Sequence, residues 1–372
     1  MPYRPLSAIV LAAGEGRRMH SSLPKPLHPI SGRPMVLHVL DALSELSLER
    51  VVVVVGYRSA EMTKLISAGA PPGLELHFVE QPLARGTGDA VAVALTEFPD
   101  DDMMGNADVL VLPGDAPLLR PATLRALVEE HQGGDAAATL LTAILDDPSG
   151  YGRVVRTEQG NVERIVEDRD ASPIELEIAE VGTSIYCLRQ SLLAPSLRRL
   201  RPNNAKGEYY LTDVVEGLVH SGYVVGSLVV GDSLETTGVN DRAQLSVAEA
   251  ELRARINEQW MRAGVTMVDP SSTYVDVTVN LDEDVTLLPF TYLVGKTRIR
   301  RGAVIGPSTR IVDSVVGERS RVEFSSVSGA TIGMDAHVGP FADLATGSEV
   351  PDAFETGPFF KGVASRDAGS AT

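Results

Sequence analysis

Apolar residues recur at six-residue intervals through the last quarter of this 372-residue chain, and few folds tolerate such a period. The repeating positions, which include one five-residue step, are Leu281, Leu287, Leu293, Ile299, Ile305, Ile311, Val316 and Val322, then Ile332, Val338, Leu344 and Val350. Glycines such as Gly295 and Gly306 follow apolar positions, where turns need a positive φ. A period of six is typical of hexapeptide β-helices. We expect about four coils of about eighteen residues between residues 275 and 350, because a plain meander of strands would not require this spacing.

The chain before residue 240 has a different rhythm, in which short apolar runs alternate with amphipathic segments. Val51–Val55 and Val109–Leu112 are continuous apolar runs, as expected for strands buried on both faces of a parallel sheet. The segment after Pro34 carries its apolar residues at helical spacing. This βαβ pattern predicts an α/β fold with an open, doubly wound sheet.

A chain of 372 residues is too long for one ordinary core, so we expect more than one domain. Apolar residues from Leu245 to Trp260 fall at helical spacing and predict a long helix between the two regions. The predicted organisation is an α/β domain over residues 1–240, a linker helix over 241–264, a short β-helix over 265–350, and a tail over 351–372 that is disordered at its end.

Charge and cysteine content exclude several classes of protein. The net charge of −17, from 33 basic and 50 acidic side chains, argues against nucleic acid or an anionic membrane as a partner. Cys187 is the single cysteine, so neither an intrachain disulfide nor a thiolate metal cluster can form. The apolar segment before Gly14 is too short for a signal peptide or a membrane span, and we expect a cytoplasmic protein.

A glycine-rich turn follows the first predicted strand, in the sequence LAAGEGRRMHSSLPKPLH over residues 11–28. Gly14 and Gly16 leave backbone N–H groups open to a ligand, and Arg17, Arg18 and Lys25 bring positive charge within reach. Backbone amides and nearby cations together form a cradle for phosphate. The segment lacks the Gly-Lys-Ser/Thr of a P-loop and the third glycine of a dinucleotide fingerprint.

Two polar residues could serve either as metal ligands or as helix caps. Asp115 ends an apolar strand, where ligands bind in open α/β sheets, and its carboxylate could hold Mg²⁺. It could equally cap a helix that starts at Ala116. Asn240 precedes the predicted linker helix, so an N-cap is the simpler interpretation, although its side-chain carbonyl is also a good ligand for Mg²⁺.

The string LAAGxGxRM followed by LPK and LH is the signature of sugar-1-phosphate nucleotidyltransferases. The whole chain resembles the bacterial bifunctional N-acetylglucosamine-1-phosphate uridylyltransferase/glucosamine-1-phosphate acetyltransferase family. The resemblance implies a Rossmann-like, GT-A-like mixed sheet followed by a short left-handed parallel β-helix. It also implies Mg²⁺-dependent transfer of UMP from UTP to N-acetylglucosamine 1-phosphate, a step of peptidoglycan precursor synthesis, by a homotrimer.

The resemblance also assigns roles to individual residues. The loop from Leu11 to Gly16 and Arg18 would hold the triphosphate, and Lys25 would stabilise the phosphates in the transition state. Asp115 and Asn240 would hold Mg²⁺. The substrate-binding positions would be Leu11, Ala12, Ala13, Gly14, Lys25, Gln81, Gly86, Thr87, Gly114, Gly152, Glu167, Gly182, Glu208, Tyr210, Thr212 and Asn240, with the uracil read by Gln81, Gly86 and Thr87.

The chain departs from the family at several of these segments. Gly182 replaces an asparagine that would touch the sugar, Pro113 replaces an aromatic residue before the metal ligand, and Thr237 replaces a glutamate. Asp343 stands where an arginine of the acetyl-transfer site is expected, and the hexad pattern stops near Val350. We therefore expect nucleotidyl transfer to be retained and acetyltransferase activity to be lost.

Two other functions remain open from the sequence. The same machinery could make a dTDP- or ADP-sugar from another sugar 1-phosphate. Alternatively, the chain could be a non-catalytic regulatory subunit that binds sugar nucleotides. Intact Lys25, Asp115 and Asn240 argue against the second function, because a subunit without catalysis has no chemical need for all three.

Overall fold

The computed structural model describes residues 4–98 and 106–362. The chain forms two compact units, one within residues 1–28 and 34–248 and the other within residues 29–33 and from 249 onward. Among the described residues, no helix has the length and apolar character that a membrane span requires. The domain boundaries expected at 240, 264 and 350 stay a prediction, and the expected tail beyond residue 362 lies outside the described residues.

The first unit is built on a nine-stranded mixed sheet. Its strands are β1 (Leu6–Leu11), β4 (Val51–Val55), β5 (Leu76–Glu80), β6 (Asp108–Pro113), β7 (Ala138–Ile144), β8 (Arg153–Arg156), β9 (Val162–Val166), β10 (Glu180–Arg189) and β11 (Val225–Val229). The main path runs β11-β7-β10-β6-β1-β4-β5, with β8 and β9 paired beside β10. β1 is parallel to both β4 and β6, whereas β10 is antiparallel to β6 and β7. The predicted doubly wound mixed sheet is confirmed.

Helices cover both faces of this sheet. They are α1 (Met35–Leu43), α2 (Ser59–Gly69), α3 (Thr87–Ala94), α4 (Pro121–Gly133), α5 (Gln190–Leu197) and α6 (Asp213–His220). Alternate residues of β1 enter two separate apolar cores, Ile9 on one side and Ala8 and Val10 on the other. Every residue of β4 is buried, because a central parallel strand has both faces covered.

The strand order brings the ends of β1 and β6 together. Leu11 at the end of β1 lies in register with Pro113 at the end of β6, and the N–H of Gly114 donates to the carbonyl of Leu11 at 2.9 Å. The loops that follow the two strands therefore leave the sheet at the same edge. Ligands of open α/β sheets bind at this carboxyl edge.

The predicted linker helix forms as α7 (Arg242–Arg262), and the division between the two units falls inside it. Ile256 is buried in the core of the second unit, with Leu252 and Trp260 packed against it. Asn257 is buried beside them and donates to the carbonyls of Pro270 and Thr273, both at 2.9 Å. The last turns of α7 therefore pack within the core of the second unit.

The second unit is a parallel β-helix of three sheets, preceded by the short pair β2 (Pro29–Ile30) and β3 (Arg33–Pro34). One sheet contains β12 (Thr266–Met267), β15 (Thr286–Leu287), β18 (Val304–Ile305), β21 (Arg321–Val322) and β24 (His337–Val338). The next contains β13 (Tyr274–Val275), β16 (Thr291–Val294), β19 (Thr309–Val312), β22 (Ser326–Ser328), β25 (Asp343–Leu344) and β27 (Lys361–Gly362). The third contains β14 (Asn280–Leu281), β17 (Arg298–Ile299), β20 (Val315–Val316), β23 (Thr331–Ile332) and β26 (Glu349–Val350).

The hexad positions form the interior of this helix. Leu287, Leu293, Ile299 and Ile305 are completely buried, and each belongs to a two- to four-residue strand. Stacked coils pair in parallel, so the backbone hydrogen bonds of each short strand are made to the coils above and below it. The six-residue pattern therefore predicted the β-helix correctly.

The described coils are more numerous than the sequence pattern suggested. The three sheets have five, six and five strands among the described residues, and they run from Thr266 to Gly362. The β-helix was expected to begin at residue 265, but the coils were counted only from residue 275, because Met267 and Val275 are eight residues apart and break the period. Lys361–Gly362 pairs with Asp343–Leu344, so residues within the expected tail continue the β-helix.

Candidate active site

The glycine loop wraps around the lysine that follows it. Gly16 has a φ of 64°, and a Cβ added there would lie 2.5 Å from the Cβ of Lys25. Only glycine combines this left-handed backbone with such a close approach. Leu11 and Ala13 are half-buried and Ala12 is buried, while Gly14 is exposed. The loop thus presents exposed backbone next to the base of the Lys25 side chain.

Lys25 brings together the two residues that the sequence left ambiguous. Its Nζ contacts the carboxylate Oδ2 of Asp115 and donates to Oδ1 of Asn240 at 3.1 Å. The side chains of Lys25 and Asp115 are each 14% exposed. A carboxylate oxygen and an amide oxygen, 125 residues apart in the chain, therefore converge on one cation at the carboxyl edge of the sheet.

Neither Asp115 nor Asn240 acts as a helix cap. Asp115 lies in a turn, and the next helix, α4, begins at Pro121 rather than at Ala116. At the start of α7, the side chain of Asp241 accepts from the N–H of Gln244 at 2.8 Å, while the side chain of Gln244 accepts from the N–H of Asn240 at 2.7 Å. The capping interpretation was wrong for both residues, and their side chains are turned to the site.

The donor set fits a hard divalent cation completed by substrate. No group of three or more His, Cys, Asp or Glu side chains suited to a metal occurs among the described residues. The protein would supply the oxygens of Asp115 and Asn240, which already bind the ammonium of Lys25. Mg²⁺ is commonly held by one or two protein oxygens together with phosphates and water.

A cavity of about 550 Å³ opens beside the glycine loop. Its lining combines Ala13 of that loop with Gly56 and Arg58 after β4 and with Gln81 and Pro82 after β5. All of these residues lie at the carboxyl ends of neighbouring parallel strands. The predicted base-reading residue Gln81 is thus on the wall of a space that is continuous with the phosphate loop.

The predicted Gly86-Thr87 turn contacts Gln81 and the segment that contains Tyr209 and Leu211. Gly86 has a φ of 107°, and a Cβ there would lie 2.5 Å from the carbonyl oxygen of Tyr209. The hydroxyl of Thr87 accepts from the N–H of Leu211 at 3.0 Å. The amide nitrogen of Gln81 donates to the carbonyl of Gly86 at 3.2 Å and to Asp89 at 2.8 Å. Asp89 was not anticipated from the sequence, although an acidic residue in the first turn of a helix is a recognisable signal.

Several residues predicted to contact the sugar lie around the side chain of Glu167, and we call this group the Glu167 pocket. The N–H of Gly182 donates to the carbonyl of Gly152 at 2.9 Å, and a Cβ on Gly152 would lie 3.7 Å from Glu167. The hydroxyl of Thr212 donates to Glu167 at 3.1 Å. Glycine at position 152 thus leaves no side chain beside the carboxylate of Glu167, whereas a Cβ on Gly182 would instead lie 3.3 Å from Ile165.

Burial and mutual repulsion perturb the acids of this pocket. Burial raises the pKa of Glu167, with a smaller opposing effect from the hydrogen bond of Thr212. Burial also raises the pKa of Asp213 to about 6, assisted by the charges of Glu216, Glu167 and Asp170. The pKa of Tyr210 rises to about 12, chiefly through burial and then through nearby carboxylates that include Glu208. Such a surface disfavours additional negative charge.

Tyr151 links this pocket to Asp115. Its hydroxyl is hydrogen-bonded to Thr237, and its pKa is raised by burial and by the charge of Asp115. Gly114, which immediately precedes Asp115, is buried against Leu11 and Ala12. Arg18 is the predicted residue least integrated into the site: it is exposed on the turn Arg17–Met19, with no hydrogen bond or ion pair to the described residues.

Comparison with known proteins concerns the fold and the family of the chain. Residues 8–204 match the family described as the MobA-like NTP transferase domain. A crystal structure of a Bacillus anthracis protein, described as a glucose-1-phosphate thymidylyltransferase, superposes with a TM-score of 0.52 at 22% identity, over 66% of this chain and 94% of that one. At that identity, the likeness concerns the fold.

Closer relatives extend over both units. The Carboxydothermus hydrogenoformans bifunctional protein GlmU is 41% identical over 354 residues, which cover 95% of this chain and 77% of that protein. The Paenarthrobacter aurescens bifunctional protein GlmU is 43% identical over 357 residues, covering 96% of this chain and 71% of that protein.

The fold and the matched domain define a sugar-1-phosphate nucleotidyltransferase. More specifically, the chain belongs to the GlmU family of bifunctional proteins, and the family resemblance drawn from its sequence motifs is confirmed.

Proposed function

We propose that this enzyme transfers UMP from UTP to N-acetylglucosamine 1-phosphate, giving UDP-N-acetylglucosamine and pyrophosphate for peptidoglycan synthesis. The convergence of Lys25, Asp115 and Asn240 beside the glycine loop carries the proposal. It supplies a cation and a pair of metal-binding oxygens at one point. Ala13 of the same loop lines the cavity that also contains Gln81, and Tyr151, which precedes Gly152, is close enough to Asp115 for that charge to raise the pKa of the Tyr151 hydroxyl.

Phosphate binding would begin at the loop from Leu11 to Gly16. The N–H of Ala12 is bonded to the carbonyl of Val54, whereas the exposed residues Gly14 and Glu15 offer backbone N–H groups that suit the triphosphate. Arg18, exposed on the following turn, is close enough in sequence to join it. Lys25 would exchange its contact with Asp115 for phosphate oxygens when the nucleotide binds. Its role is then to stabilise charge that develops on the leaving pyrophosphate.

No general base is needed for the attack. The second pKa of a phosphate monoester is about 6, so the attacking oxygen is largely ionised at neutral pH. The residues of the site therefore act by holding that oxygen in line with the α-phosphorus. Asp115 and Asn240 would hold Mg²⁺, which, when bound, supplies positive charge between the phosphates and the protein.

The sugar would be held by Glu167 and Thr212, with Glu208, Tyr210 and the backbone of Gly152 completing the wall. Hydroxyl groups of N-acetylglucosamine 1-phosphate can donate to the carboxylate oxygens of this wall. The raised pKa of the pocket acids supports a neutral sugar, because burial and crowding already oppose further negative charge. Gly182 leaves room where the family has an asparagine, and we propose that this room accommodates the acetamido group.

The β-helix unit is proposed to assemble the enzyme as a homotrimer. Its surface carries a column of exposed aromatic rings, in which Phe341 lies 5.9 Å from Phe324 and 5.2 Å from Phe359 between ring centres. We also propose that the second family activity, acetyl transfer, is lost, because Asp343 replaces the expected arginine with the opposite charge. The substrates UTP and a sugar phosphate suit a cytoplasmic reaction.

Pyrophosphate release tests the proposal when UTP, dTTP, CTP and ATP are crossed with N-acetylglucosamine 1-phosphate, glucosamine 1-phosphate and glucose 1-phosphate in the presence of Mg²⁺. Highest kcat/KM for UTP with N-acetylglucosamine 1-phosphate is the expected result. A preference for another pair would retain the chemistry and replace the substrates. Tight sugar-nucleotide binding without turnover would instead support a regulatory subunit.

A further inference from the structure

We propose that Asp89 is a positioning residue that fixes the orientation of the Gln81 side-chain amide and thereby selects a base with an N–H at ring position 3. This inference rests on the proposed uridylyl transfer, since it concerns how the base of the nucleotide is chosen. None of the sequence motifs pointed to Asp89. The geometry around Gln81 does.

Gln81 is fixed at both its backbone and its side chain. Its backbone N–H donates to the carbonyl of Val55 at 2.8 Å, directly after β5. The residue is only 7% exposed, so the amide has little room to turn without exchanging partners. Its nitrogen Nε2 donates to Oδ2 of Asp89 at 2.8 Å and to the carbonyl of Gly86 at 3.2 Å.

Both partners of this nitrogen can only accept hydrogen bonds. A carboxylate and a backbone carbonyl have no proton to donate, so a flipped amide would set Oε1 of Gln81 against two oxygens. The two hydrogens of Nε2 are therefore committed to the protein. Oε1 has no hydrogen bond to the described residues, and it is the atom that Gln81 can offer to a ligand in the adjoining cavity.

Asp89 is itself held in place by two features. It is the third residue of α3, where the helix dipole favours a negative charge. Its other oxygen, Oδ1, is 2.9 Å from Nη2 of Arg85. The side chain of Asp89 is 12% exposed and that of Arg85 is 59% exposed, so the contact of Asp89 with Gln81 is the shielded one. The two carboxylate oxygens thus have separate partners.

A fixed Oε1 of Gln81 can pair only with a base that has an N–H group on the edge facing it. Uracil and thymine carry N–H at ring position 3 and can donate to Oε1 of Gln81. Cytosine has a bare ring nitrogen there, which would face an oxygen and leave both atoms unpaired. A site built to pair with an N–H discriminates strongly against an analogue that lacks it. Asp89 does not touch the base, but it determines which end of Gln81 does.

The test is the ratio of kcat/KM for UTP to that for CTP in the full-length enzyme and in Asp89→Asn. Asparagine can donate to Oε1 of Gln81, so the flipped amide gains a partner and the fixed orientation is lost. We expect the UTP-to-CTP ratio of kcat/KM to fall about tenfold, the effect of about one hydrogen bond. A purely structural role for Asp89 would not move this ratio.

Two matched variants control the experiment. Arg85→Ala removes the exposed partner of Asp89 but leaves the contact with Gln81, so the ratio should stay within about twofold of the unchanged enzyme. Asp89→Glu keeps an acceptor-only carboxylate and should retain most of the ratio. If Asp89→Asn proves too unstable to assay, loss of the ratio in Asp89→Ser with its retention in Asp89→Glu makes the same comparison.

An Asp89→Asn ratio within about twofold of the unchanged enzyme would overturn the inference. So would an equal loss of the ratio in Arg85→Ala. The unchanged enzyme distinguishes this failure from failure of the proposed function. A preference for dTTP over UTP would replace the donor and leave the role of Asp89 intact, because thymine has the same N–H. A preference for ATP or CTP would overturn both.

Discussion

Breaking the contact between Lys25 and Asp115 should damage stability and turnover together, in a pattern that only a coupled pair produces. Both side chains are 14% exposed, so the pair is neither fully exposed nor fully buried. An exposed ion pair contributes at most about 1 kcal/mol to stability, whereas breaking a buried pair costs about 3–5 kcal/mol. Lys25→Met leaves the carboxylate of Asp115 without its cation. We expect a loss of about 2 kcal/mol in the free energy of unfolding.

The double variant identifies the coupling. Asp115→Asn alone should cost about 1 kcal/mol, since Lys25 keeps Asn240 and a neutral amide as acceptors. Lys25→Met with Asp115→Asn contains no unpaired charge, so its cost should be smaller than the sum by about 1–2 kcal/mol. Turnover behaves differently, because each single variant removes an interaction needed in the transition state. Each should lower kcat by about 10²–10⁴-fold, and the double variant should not recover it.

Denaturant unfolding followed by far-UV circular dichroism is the suitable stability assay. The single tryptophan, Trp260, lies in the part of α7 that belongs to the second unit, so its fluorescence would report on the wrong unit. Lys64→Met, at an exposed position of α2, is the matched control and should leave both stability and turnover unchanged. A coupling energy below about 0.5 kcal/mol would refute the pairing, and single variants within a few-fold of full activity would refute the catalytic roles.

Three further predictions concern other parts of the molecule. Gly16→Ala should lower kcat with little loss of stability, because the added Cβ would lie 2.5 Å from the Cβ of Lys25 and displace that side chain. Pyrophosphate release and a thermal unfolding curve measure the two effects, and an unchanged kcat would contradict the prediction. Asp213→Asn should stabilise the protein increasingly as pH rises from about 4 to about 6. The raised pKa means that folded wild-type protein holds this proton more tightly than unfolded protein does, so wild-type stability falls as pH rises through that range, whereas asparagine does not titrate. Unfolding temperatures of both proteins at the two pH values that show no such trend would contradict the prediction. Phe341→Ser should shift the proposed trimer to smaller species in light scattering coupled to size exclusion, whereas an unchanged trimer, or a monomeric parent enzyme, would exclude the aromatic column as the contact.

The fold was largely predictable because its cores follow simple periods. Six-residue spacing forces one side chain per short strand into the β-helix interior, and Leu287 to Ile305 meet that requirement without exception. The first coil was left out of the coil count because Met267 and Val275 interrupt the period, although the β-helix was expected to begin at residue 265. The last described strand, Lys361–Gly362, has no apolar hexad residue, and its pairing with β25 depends on stacking rather than on pattern.

The site was predictable only where topology determined it. Lys25 and Asp115 follow neighbouring parallel strands, so their approach could be expected from the strand order. Whether Asp115 and Asn240 capped helices could not be decided, since caps and metal ligands use the same residue types. That choice depended on Asp241, which caps α7 instead. The role of Asp89 could not be predicted from the sequence, because it depends on which amide atom of Gln81 the carboxylate contacts.

Transfer in the reverse direction measures both the proposed substrates and the proposed role of Lys25 in one assay. Labelled pyrophosphate is incubated with UDP-N-acetylglucosamine, UDP-glucose or dTDP-glucose and Mg²⁺, and label in the nucleoside triphosphate is measured for the unchanged enzyme and for Lys25→Met. We expect labelled UTP from UDP-N-acetylglucosamine with the unchanged enzyme and about 10²-fold less with Lys25→Met. Labelling from another sugar nucleotide in preference, or labelling that does not depend on Lys25, would contradict it.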